Sequence, residues 1–115
     1  MKPPSFPFYV NNFLASERVM CMTTEQVGAY VILLCYQWNS DQQSISADAA
    51  WLSAATKMNG RWNEVGGAVL ACFYPVNDQP GRLRNERLYQ CWLENKEYRD
   101  RKVRAGRLGG LAKGR

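Results

Sequence analysis

Between Thr23 and Asn39 the apolar residues Val27, Tyr30, Val31, Leu34, Cys35 and Trp38 recur at intervals of three and four. That is the spacing of one face of an α-helix. Ile32 and Leu33 fill much of the opposite face, so this helix is expected to be buried nearly all round. Thr23 is a good N-cap, and Gln26 three residues later completes a capping box. "NSDQQ" then breaks the period and reads as a loop. A second helix is expected from Ser46 as cap through "ADAAWLSAAT", with Ala49, Leu52 and Ala55 inward and Trp51 on the flank. "KMNGR" is a turn punctuated by Asn59-Gly60. In "WNEVGGAVLACF", Trp62, Val65, Val69, Leu70 and Phe73 share a third helical face, while Gly66 and Gly67 allow another helix to approach closely at a cost in propensity.

The period then switches to two. "FYPVNDQPGRLRN" predicts two short strands around a turn, with Leu83 inward and Arg82 and Arg84 outward. "NERLYQCWLENKEYRDRKVRAG" predicts a long helix anchored by Leu88, Cys91 and Trp92. Past Leu93 its apolar stripe thins, and Glu97–Arg101 and Asp100–Arg104 are spaced as supporting i, i+4 pairs. Gly106, Gly109 and Gly110 are expected to stop it. At the other end, the prolines of "PPSFPFYVNNFLAS" predict an extended arm whose Phe6, Phe8 and Tyr9 lie on the core. The order is that of a winged helix-turn-helix, mainly α with a small β-hairpin and a long C-terminal helix. Residues 1–22 form the arm, 23–85 the winged-helix core, 86–105 a basic helix, and 106–115 a flexible Gly/basic tail or linker. The competing arrangement is an all-helical bundle with an irregular loop in place of the hairpin.

Charge adds direction to this picture. The net charge of the 115 residues is +5, unevenly placed. Residues 1–81 hold four basic groups against six acidic ones, and residues 82–115 hold eleven against four. A net −2 globule joined to a net +7 segment points to a polyanionic partner for the C-terminal end. Catalysis has little to work with. The chain has no histidine, no carboxylate in a recognisable motif and no phosphate-binding glycine motif, so no enzyme and no cofactor are expected. Cys21, Cys35, Cys72 and Cys91 lack the spacing of a metal clip, so no metal is expected. With no signal-peptide pattern and no apolar run of spanning length, the expectation is reduced thiols in a bacterial cytoplasm, away from membranes.

The residues expected to meet DNA are Arg61 and Asn63 on the third helix, Arg82, Arg84 and Arg87 at the wing, and Arg99, Arg101, Lys102 and Arg104 on the basic helix. The third helix offers few groups for base reading, so phosphate contacts should dominate, with weak sequence specificity and strong salt dependence. On a constrained hairpin, Arg82 and Arg84 are expected to contribute more per charge than the Gly-rich tail. The alternative is a protein-interaction module that docks through its apolar third helix.

"FPFYVNNFLAS", "MTTEQVGAYVILLCYQW", "AVLACF" and "GRLRNERL" resemble the YdaU-like family, a domain of unknown function found in phage and prophage replication regions. The resemblance covers about residues 6–110, including "AGRLGG" at the end of the basic helix. It departs from the family pattern at Asn12, where an aspartate is expected, and at Trp51, in a helix usually more charged. It implies a winged-helix module in DNA replication initiation or helicase loading, and that the chain is a fragment or a short member. The partners expected are DNA, duplex or single-stranded, from the charge, a replication helicase or helicase loader from the resemblance, and further copies of the chain.

Overall fold

The computed structural model describes the backbone of residues 4–113 and the side chains of residues 4–107. Ten elements follow among the described residues: α1 (Val10–Ala15), α2 (Glu17–Met20), α3 (Thr24–Asn39), β1 (Ile45–Ser46), α4 (Ala49–Ala55), α5 (Trp62–Val65), α6 (Gly67–Leu70), β2 (Tyr74–Val76), β3 (Gln79–Arg84) and α7 (Glu86–Lys113). The protein is therefore mainly helical with one small antiparallel sheet, ordered β1-β3-β2.

α3 is the central element. The expected capping box is present: Gln26 N–H donates to Thr23 Oγ1 at 3.2 Å, and Thr23 N–H donates to Gln26 Oε1 at 2.9 Å. α3 buries Ala29, Leu33, Leu34, Gln37 and Trp38 against β1, α6 and α7. It is not buried all round. Cys35 and Tyr36 are exposed, and Leu33, placed on the opposite face by the apolar spacing, is fully buried. The face that counts is chosen by neighbours distant in sequence, which periodicity cannot see.

The hairpin forms where the period-two pattern places it, with Leu83 buried at its centre, and this excludes the all-helical alternative. A third strand joins it. Ile45 pairs with Leu83 and Ser46 with Arg82, so Ser46 is a strand residue and not a cap. Asp48 caps α4 instead, its Oδ2 accepting from Trp51 N–H at 3.0 Å. The turn at residues 57–60 is strongly bent, with positive φ at Lys57, Asn59 and Gly60.

Three other expectations are corrected. The N-terminal segment is extended only through Tyr9; beyond the last proline, Pro7, it winds into α1 and α2. Phe6 does pack on the core, with its ring 5.3 Å from that of Trp38, but Phe8 and Tyr9 are exposed. The third helix is two short ones. Gly66 interrupts it with no room for a side chain: a Cβ there would lie 2.5 Å from the Trp62 ring. The close approach is thus to the chain's own Trp62, and the break leaves Leu70 exposed. Finally, the glycines do not stop α7, whose helical backbone continues to Lys113. Glycine costs a helix about 1 kcal/mol but ends one only in a left-handed cap, and Gly106 stands inside a continuous run of helix. Residues 114 and 115 of the expected tail lie outside the described residues.

One buried contact joins these parts. Gln37, fully buried on α3, donates from Nε2 to Asn85 C=O at 3.0 Å and accepts from Asn85 N–H at 2.7 Å. Asn85 stands between β3 and α7. Its Oδ1 accepts from Leu88 N–H at 3.0 Å, capping α7, and its Nδ2 donates to Cys72 C=O at 3.0 Å. A single side chain on α3 therefore fixes where the hairpin ends and α7 begins. Gln37→Ala strands two buried backbone groups and should cost about 2–4 kcal/mol. That lowers the melting temperature by roughly 10 °C or more for a domain of this size, which thermal unfolding followed by circular dichroism would measure.

Candidate nucleic-acid interface

Nine residues were expected to face DNA, and they fall into committed and available groups. Arg61 is exposed but ion-paired, its NH1 lying 2.8 and 3.0 Å from the two carboxylate oxygens of Glu25. Asn63 is exposed beside it on α5. α5 is a single turn long, so it presents no recognition helix of ordinary length.

The hairpin arginines do not project freely. Arg82 donates from Nε to Ser44 Oγ at 3.1 Å and from NH2 to Ser44 C=O at 2.9 Å. Arg84 donates to Gln43 C=O at 2.8 Å and to Gln42 C=O at 2.9 Å. Both guanidinium groups brace the loop that follows α3. That loop is turned by Gln43, which has φ 52° and donates from Nε2 to Trp38 C=O and Ser40 C=O, satisfying carbonyls at the end of α3. The hairpin tip, Asn77-Asp78, carries no cation. The expectation that Arg82 and Arg84 lead in phosphate contact is therefore revised, because both are half-buried and held against the loop by two hydrogen bonds each.

Arg87 is exposed on the first turn of α7. It borders a cavity of about 140 Å³ beneath the N-terminal segment, lined also by Phe6, Phe8, Tyr9, Phe13 and Cys91. Arg99, Arg101, Lys102 and Arg104 lie on the part of α7 beyond Cys91, its last buried residue among the described side chains. All are exposed except Arg99, which is half-buried. α7 is about 42 Å long at 1.5 Å per residue. The radius of gyration is 17.6 Å, where a compact chain of this size would have about 13 Å. Much of α7 therefore extends beyond the globule and carries these cations with it.

A feature not anticipated from the sequence lies at the root of this projection. The Arg84 guanidinium sits 3.8 Å over the Tyr89 ring. Tyr89 stacks on Trp92, with centroids 6.0 Å apart and planes within 11°, and the Lys96 ammonium lies 5.3 Å over Trp92. The signal was present in the i, i+3, i+7 spacing of Tyr89, Trp92 and Lys96, but Trp92 reads equally well as a core anchor.

Among the described residues no helix is long and apolar enough to cross a membrane, and no group of His, Cys, Asp and Glu could hold a metal ion. Cys21 and Cys35 are exposed; Cys72 and Cys91 are buried. Burial raises the thiol of Cys72 above its ordinary pKa, and burial followed by the Glu94 carboxylate raises that of Cys91. Neither is an activated nucleophile. No family model, curated protein or solved structure matches the chain.

Since Arg84 holds two carbonyls and one ring, Arg84→Ala should lower stability by about 1–3 kcal/mol. At a temperature where the variant is still folded, it should leave affinity for duplex DNA within about twofold of wild type. Chemical denaturation and fluorescence anisotropy on the same preparation measure the two effects separately.

Proposed function

We propose that this protein is a winged-helix module that binds DNA through phosphate contacts made chiefly by the projecting part of α7. The observation that carries this reading is the charge of residues 96–107. Six basic side chains (Lys96, Arg99, Arg101, Lys102, Arg104 and Arg107) stand against two acidic ones (Glu97 and Asp100), a net +4. This charge is spread over about 18 Å of helix. The order α3, β1, α4, α5–α6, β2, β3, with β1 closing against β3, supports the winged-helix reading. A broken third helix and a neutralised Arg61 favour positioning contacts over base reading. The replication setting, at initiation or helicase loading in a phage or prophage, rests on the YdaU-like resemblance.

Binding of this kind is weak and salt-dependent. A labelled duplex should bind with micromolar or weaker affinity at moderate salt, and log K should fall with log salt at about 0.9 per phosphate contacted. The combined variant Arg101→Ala, Lys102→Ala, Arg104→Ala should flatten that slope by about 2–3 and leave the melting temperature unchanged. An affinity independent of salt, or a variant that binds like wild type, would overturn the reading.

A second reading, a protein-interaction module, has its own observation. The N-terminal segment exposes Phe8, Tyr9 and Val10, and α1 and α2 present Leu14 at 64% and Met20 at 75% exposure. This many exposed apolar side chains on one short stretch of chain suit a protein surface. Under this reading, Leu14→Asp with Met20→Asp abolishes retention of a replication helicase or loader in a nuclease-treated pull-down, while duplex affinity is unchanged. Retention by the variant would refute it.

A further inference from the structure

The loop after α3 and the root of the α7 projection enclose an open groove of about 470 Å³, lined by Asp41, Gln43, Trp92, Lys96, Arg99 and Asp100 among others. That volume is in the range of small-ligand sites. Three features of the groove belong together. Trp92 is half-buried, so its ring is held by the fold and loses little freedom on binding. The Lys96 ammonium over that ring is the end of an exposed, flexible side chain. Gln43 is 1% exposed, and its Oε1 has no hydrogen-bond partner among the described residues. The two carbonyls that take its Nε2 fix the amide orientation, so the orphaned atom is the acceptor.

From these we infer that the groove is a subsite for one unpaired base of single-stranded nucleic acid, which stacks on Trp92 as Lys96 moves aside. This inference rests on the proposed nucleic-acid reading and specifies which form of nucleic acid α7 serves. Aromatic rings set in a basic track bind single strands because every base has a stacking face. In a duplex those faces are covered by neighbouring base pairs, so the groove selects against duplex.

Charge fits a base better than a phosphate at this position. Within the groove Lys96 and Arg99 are matched by Asp41 and Asp100, leaving no net field for an anion. The excess positive charge begins just beyond, at Arg101, Lys102 and Arg104, where the flanking phosphates would lie. Lys96, displaced from the ring, is within reach of the same backbone. Gln43 Oε1 is closed off from solvent, so a seated base meets it only if the loop at residues 40–43 shifts.

The test uses the full chain, a labelled 20-nucleotide single strand and the duplex of the same sequence at one low salt concentration. The single strand should bind about tenfold or more tightly than the duplex. Trp92→Ala should remove about tenfold of that affinity and leave duplex binding unchanged. Trp92→Phe keeps a stacking ring and the packing, so it should bind the single strand within about threefold of wild type. It should also lose the quenching of tryptophan fluorescence that the strand produces in the wild-type protein. Equal wild-type affinity for the two forms would overturn the inference while leaving the proposed function intact. So would quenching that persists in Trp92→Phe. Failure of the wild type to bind either form would remove the proposed function and the inference with it.

Discussion

Everything projecting from this domain depends on the pairing of Gln37 with the backbone of Asn85. A fully buried amide must satisfy its donor and its acceptor or forfeit their solvation, and Gln37 does so on both sides of one residue. Because that residue also caps α7, the interaction sets three things together: the end of β3, the start of α7, and the depth at which α7 leaves α3. Leu88 and Cys91 can bury themselves beneath α3 only from that starting point. Beyond them, among the described side chains, only Trp92, Asn95 and Arg99 are even half-buried.

The same requirement explains the division among the arginines. The loop after α3 leaves carbonyls at Gln42, Gln43 and Ser44 with no strand to answer them, and Arg82 and Arg84 supply the donors. Planar guanidinium groups suit this work, since each can meet two acceptors at fixed spacing. The charge remains, but the Nε edge of each group is engaged inside the fold. On α7 the opposite holds. Arg101, Lys102 and Arg104 are exposed on that helix, so their N–H groups can exchange water for phosphate oxygens.

Local physics in this chain was legible, and long-range commitments were not. The capping box at Thr23 and Gln26, the turn at Asn59-Gly60 and the hairpin around Leu83 follow from residues a few positions apart, and each forms as read. β1 was missed because two residues carry no period; it exists because Leu83 and Arg82 offer an edge to pair with. The break at Gly66 follows from the placement of the Trp62 ring, which a helical wheel does not contain. Of the nine expected site residues, Arg87, Arg101, Lys102 and Arg104 are exposed on α7, while Arg61, Arg82 and Arg84 acquire partners 36 to 42 positions away. The aromatic stack at Tyr89 and Trp92 was visible as spacing, yet only the placement of Arg84 and Lys96 over its rings distinguishes it from ordinary core.

Under the proposed function, nucleic acid meets the chain along α7 and not at α5 or the hairpin tip. A backbone-amide chemical-shift map, recorded by NMR while an oligonucleotide is titrated in at low salt, tests this directly. Shifts should concentrate in residues 92–107 and in the adjoining loop at residues 40–43, and fade as salt is raised. Shifts centred on Arg61 and Asn63 and on residues 77–81, with α7 unperturbed, would contradict it.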